Sequence, residues 1–178
     1  MDALSQTHTI DLHWRSFELR PKNSRPIPPE YRARIEAGRP QLYQIARERY
    51  GVELNPGPFG MDSRPALIGG KLAEAHGRGP EYHAAIMAGY WQEARKIDDL
   101  ETLASLAEQA GLERAEFLAG LADPLFERQV DADIAQAQMY GLNGVPAIVF
   151  AEKYLVSGAQ PVEVLRQVAD QVMAEEEG

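Results

Sequence analysis

A long run of helical sequence separates one alternating segment from a hairpin near the C-terminus, and this order limits the fold more than any other feature. Thr9-Ile10-Asp11-Leu12-His13-Trp14-Arg15 alternates strictly, with Ile10, Leu12 and Trp14 on one side. That period predicts a strand with one buried face over 9–15, with a weaker continuation to Phe17 and Leu19. Pro21 to Pro29 is proline-rich and must be a loop. Helical spacing then runs from Glu30 to Tyr50, with an interruption expected at Gly38-Arg39-Pro40 and a stop at Gly51.

From Asp62 to Gly141 the pattern is helix after helix. Ser63 is placed to cap the first, with Pro65 in its opening turn. A second is expected from Glu81 to about Lys96. A third is opened by Asp98 or Asp99, a short fourth spans Glu113 to about Ala122, and a fifth begins at Pro124 and stops at Gly141. The period then changes. Val145-Pro146-Ala147-Ile148-Val149-Phe150 is an apolar run rich in β-branched residues, Ala151-Glu152 reads as a two-residue turn, and Lys153-Tyr154-Leu155-Val156 as the returning strand. Pro161 opens a last helix striped by Val162, Leu165, Val168 and Val172. Strands divided by helices belong to the α/β class, and the sheet looks one member short.

Charge and cysteine usage narrow the chemistry. With 18 Lys and Arg against 27 Asp and Glu, the formal charge is −9, which repels phosphate backbones and argues against nucleic-acid binding. No apolar run is long enough to cross a bilayer, and the first eight residues lack the charged and apolar regions of a secretion signal. A soluble cytoplasmic setting is expected. The cysteine count is zero, so these residues can supply neither a disulfide, a thiolate metal site nor a sulfur nucleophile.

Several segments together resemble the DsbA-like thioredoxin family, in particular its cytoplasmic FrnE-like branch. Trp14-Arg15-Ser16-Phe17-Glu18-Leu19-Arg20-Pro21 is similar to the family's second-strand segment. Asp62-Ser63-Arg64-Pro65-Ala66-Leu67, followed by Ala73-Glu74-Ala75-His76-Gly77, is similar to its first insertion helix, and Tyr90 to Asp99 to a later insertion stretch. The most specific piece is Gly141 to Phe150 joined to Leu155-Val156-Ser157-Gly158-Ala159-Gln160-Pro161. The resemblance implies a DsbA-type α/β fold with a thioredoxin-like part at 1–61 and 142–178 and a helical insertion at 62–141. Family members open with a strand and a Cys-x-x-Cys at a helix start before the segment matched here. Either that first βα unit is missing, or the natural gene starts upstream and encodes it.

The expected function follows. This is a homologue of thiol–disulfide oxidoreductases or isomerases that is redox-inactive as given, with no catalytic residue, metal ligand or cofactor of its own. Dithiol exchange needs a thiolate, stabilised at a helix N-terminus, to attack a substrate disulfide. The resemblance also implies that the Val145–Pro146 bond is cis and that Gly144, Val145 and Pro146 offer backbone groups to an extended peptide or a protein thiol substrate. The alternative is a non-catalytic peptide-binding or assembly module using that groove. Without a first strand, the segments at 9–15 and 147–150 would expose unpaired backbone. They are therefore expected to pair directly or to recruit a second chain, and a homodimer is expected.

Other candidates give blander readings. His8, His13, His76 and His83 lack the spacing of paired zinc ligands and read as structural or surface residues. Gly69-Gly70-Lys71 and Gly77-Arg78-Gly79-Pro80 lack the phosphate-loop spacing and read as close helix packing and a helix stop. Tyr82, Tyr90, Trp91, Phe117 and Phe126 read as core or groove lining. Arg32, Arg34, Arg39, Arg47 and Arg49 form the one basic concentration, read as a solvated helix face. Kappa-class glutathione transferases and hydroxychromene-carboxylate isomerases share the insertion architecture, but their active serine belongs to the first helix. Ser63 matches a later one.

Overall fold

The computed structural model describes residues 1–21 and 24–176. Eight helices and one hairpin follow one another among them: α1 (Asp2–Ser5), α2 (Pro29–Tyr50), α3 (Arg64–Ala75), α4 (Gly79–Trp91), α5 (Leu100–Gln109), α6 (Arg114–Gly120), α7 (Pro124–Met139), β1 (Ala147–Phe150), β2 (Tyr154–Ser157) and α8 (Val162–Glu176). The chain divides into two compact units, one of Met1–Leu19 with Asp133–Gly178 and one of Arg20–Ala132.

In the second unit the helix ends follow local chemistry. Asp99 caps α5 by accepting the Thr102 amide at 2.9 Å, and the Glu113 carboxylate caps α6 through the amides of Ala115 and Glu116. The cap of α3 differs from expectation. Ser63 already has near-helical backbone angles and its hydroxyl makes no cap bond; Asp62 accepts the Arg64 amide at 3.0 Å instead. The break expected at Gly38-Arg39-Pro40 is also absent, since α2 runs through Pro40. A proline inside a helix removes one amide donor, and here the carbonyl left over belongs to exposed Glu36, where water can reach it. Helix α4 stops at Trp91, short of Lys96, as the chain turns back through Ala94 at φ 56°.

Helices α3 to α7 close on Leu72, Tyr82, Leu103, Leu106, Phe117 and Phe126. Gly69 is where α3 meets this core: a Cβ there would lie against the Tyr82 hydroxyl and 2.8 Å from the Phe117 ring. Close packing is thus the role of that glycine. Arg64 ties the start of α3 to α7 through Glu127 at 3.3 Å and Asp131 at 2.5 Å.

The other unit holds the hairpin. Strands β1 and β2 pair antiparallel, with Ala147 opposite Ser157 and Phe150 opposite Tyr154. Residues 151–153 form the loop, one residue longer than expected, with Ala151 and Glu152 at positive φ and the Lys153 amide donating to the Phe150 carbonyl at 2.9 Å. Ile148 and Phe150 pack on Leu4 of α1, Val156 of β2, and Leu165 and Ala169 of α8.

The strand expected at 9–15 does not form, nor its continuation to Phe17 and Leu19. These residues belong to neither strand of the two-stranded sheet. Alternation says only which side chains would share a face, and a strand also needs a neighbour's backbone. Ile10 does pack on the apolar cluster, whereas Leu12 and Trp14 are 41% and 45% exposed. A side chain anchors the segment instead: buried Asp133 accepts the Ser16 amide at 2.8 Å and the Arg15 guanidinium at 3.3 Å. Direct pairing of the 9–15 segment with 147–150 is therefore also absent.

Candidate functional site: the free edge of the hairpin

The approach to Gly144, Val145 and Pro146 is set by the end of α7. Gly141 adopts φ 67°, a left-handed conformation that suits glycine, and the Leu142 amide returns to the Ala137 carbonyl at 2.9 Å. The chain then turns through Gly144 into Val145, whose residue is 53% exposed, and the Val145–Pro146 peptide bond is cis. Pro146 lies immediately before β1, at the end of the ladder, where a residue without an amide is tolerated.

The Pro146 carbonyl accepts the Gly158 amide at 2.9 Å, and this one bond sets the phase of the whole hairpin. In an antiparallel pair, opposed residues alternate between bonded and non-bonded positions. With Pro146 opposite Gly158 bonded, Ile148 and Phe150 face β2 through their backbone groups. The amides and carbonyls of Ala147 and Val149 point the other way. Among the described residues no backbone bond outside the hairpin reaches them. One edge of β1, starting at the cis proline, is thus a short row of unpaired donors and acceptors.

The three residues singled out from the sequence are consecutive and lie at the entrance to this edge. Sequence reasoning expects unpaired backbone along 147–150 but does not say which of these residues carry it, here Ala147 and Val149. Their phase is readable only once the partner of Pro146 is known, since a shift of one residue would turn the other two peptide groups outward.

None of the four histidines belongs to this edge. His8 meets Asp170 at 3.0 Å, His13 meets Asp11 at 3.0 Å, and His76 ends α3 at 3.8 Å from Glu116. His83 is half-buried in α4, and that burial holds its imidazole below the usual range. At the far end of the hairpin, Tyr154 donates to Glu175 and accepts from Gln171 at 3.1 Å, tying β2 to α8.

Comparison with known proteins gives the same architecture a family. A model of the DSBA-like thioredoxin domain matches residues 1–169. YwbO of Bacillus subtilis is 30% identical over 117 residues, covering 63% of this chain and 57% of YwbO. A "probable DsbA oxidoreductase" from Streptomyces coelicolor is 32% identical, with a TM-score of 0.71 over 80% of this chain and 62% of its own. The chain therefore spans less than two thirds of the length of either relative. Pseudomonas aeruginosa DsbA, 20% identical, shares the fold with a TM-score of 0.58 over 78% of this chain and 81% of its own. With the DSBA-like domain model matched over most of its length, the chain belongs to the DsbA-like thioredoxin family.

Proposed function

We propose that these residues form the peptide-receiving part of a DsbA-family thiol–disulfide oxidoreductase or isomerase homologue and are redox-silent by themselves. The observation that carries the reading is the absence of any cysteine from a chain of this family. Exchange between thiols and disulfides proceeds by thiolate attack and a mixed disulfide, and no other side chain substitutes for sulfur in that two-electron step. What these residues retain is the edge of β1. An extended peptide laid along it would bond to the amide and carbonyl groups of Val145, Ala147 and Val149, adding a strand to the sheet.

The second reading, a binding or assembly module without catalysis, is favoured by the same unpaired groups, because an edge can hold a peptide whether or not a dithiol is near. A second copy of the chain is the occupant it suggests, giving a homodimer. We place either form in the cytoplasm, in line with the FrnE-like resemblance.

Amide resonances test peptide capture. Adding an extended peptide is expected to shift and protect the amides of Ala147 and Val149 while leaving those of Ile148 and Phe150, already within the hairpin, protected throughout. Peptide binding with no response from Ala147 or Val149 would refute this use of the edge.

A further inference from the structure

A cavity of about 150 Å³ lies within the helical unit, far along the chain from the hairpin. Helix α2 contributes Arg39, Leu42 and Tyr43 to one wall, and Phe59, Tyr90 and Trp91 contribute to the rest. Leu42 and Trp91 are partly exposed, so the cavity can be reached from solvent.

The aromatic wall is fixed by backbone chemistry. The last carbonyls of a helix have no partner within it, and here the amides of Asn55 and Gly57 donate to those of Trp91 and Tyr90, each at 2.7 Å. Gly57 is buried against them: a Cβ there would stand 2.6 Å from the Arg95 carbonyl oxygen and 2.9 Å from the Tyr90 ring. The rings of Tyr90 and Trp91 meet edge to face, with centroids 5.0 Å apart and planes at 82°.

Arg39 supplies the charge. Arg32 is paired with Glu36, Arg47 with Glu53, and Arg34 lies over the Tyr31 ring. Arg39 has no carboxylate partner among the described residues, yet it lines a mostly apolar cavity. It also acts on that wall: burial raises the Tyr90 phenol, and the Arg39 charge opposes the rise. A protein of net charge −9 repels anions in general, so a lone guanidinium beside aromatic rings selects for one locally.

An apolar cavity of this volume holds a single benzene-sized ring. Aromatic walls favour a planar guest, and a guanidinium fork matches a carboxylate. We propose that this pocket binds a monocyclic aromatic carboxylate, its ring against Tyr43, Tyr90 and Trp91 and its carboxylate on Arg39. The proposal is independent of the β1 edge and of any thiol chemistry.

Benzoate is the probe, with benzamide as its uncharged counterpart, titrated into the full chain while the Trp91 indole resonance is followed. Trp14→Phe identifies which of the two indole signals is Trp91. Benzoate should shift it saturably below about 10 mM, a range suited to a ligand of so few atoms. Benzamide should bind on the order of tenfold more weakly, and Arg39→Gln should weaken benzoate by a similar factor without changing benzamide. Arg39→Lys, which keeps the charge and loses the fork, should fall between. An unshifted Trp91 signal, equal affinity for the two probes, or full benzoate affinity in both folded Arg39 variants would overturn the proposal.

Discussion

Single residues carry the packing of the helical unit. The Tyr82 hydroxyl is buried with no hydrogen-bond partner among the described residues, and burial pushes its phenol well above the usual range. Gly69 faces it, and Gly69→Ala is expected to cost about 1–3 kcal/mol in urea unfolding by overpacking. Tyr82→Phe removes an unsatisfied polar atom and should be close to neutral or stabilising. In the double variant it should recover part of the Gly69→Ala loss; simple addition of the two effects would show that the hydroxyl is not the clash. Asp99 gives a pH signature. Its carboxylate accepts first from the Thr102 amide and then from the Thr102 hydroxyl, and is held below the ordinary carboxylate range. A group whose folded pKa is depressed stabilises the fold above its unfolded value, and that contribution is lost as pH falls through the folded one. Asp99→Ala should therefore lower the Tm at neutral pH, and its gap from the parent should shrink on acidification; a gap unchanged at low pH would contradict the cap.

At the scale of elements, legibility depended on whether the signal was local. Pro124, Gly141, Asp99 and Glu113 mark helix ends through backbone angles and side-chain caps contained within a few residues, and each lies where its sequence places it. The segment at 9–15 has the right alternation, but pairing depends on a distant neighbour that alternation cannot supply. Asp133 holds this segment from α7, at a separation no periodicity reveals. Asp133→Ala, which strands the Ser16 amide, should destabilise the protein by about 1–3 kcal/mol, measured by chemical denaturation. The aromatic pocket was partly readable: Ile35, Arg39, Leu42 and Tyr43 share one helical face, but the residues opposite them come from later in the chain. The edge of β1 has its own test. The Val149 amide points away from β2, so Val149→Pro should leave the hairpin paired while removing one donor from the edge. Peptide binding should weaken with no change in helix content; unaltered affinity would move the peptide elsewhere.

The molecule as a whole joins a DsbA-type hairpin and closing helix to a helical block built around its own core. A free β1 edge also bears on assembly. If a second copy occupies it, light scattering should report a dimer at micromolar concentration, and Val149→Pro should shift it toward monomer; a parent protein that is monomeric there would remove the second copy as occupant. Peptide reception needs only the β1 edge whereas redox chemistry needs sulfur, and an insulin-reduction assay on these 178 residues separates the two. With a thiol reductant present, precipitation of insulin chains should proceed at the rate of the reductant alone. A rate that rises in proportion to added protein would overturn that separation, because it would require electron transfer between thiols and disulfides by a chain without cysteine.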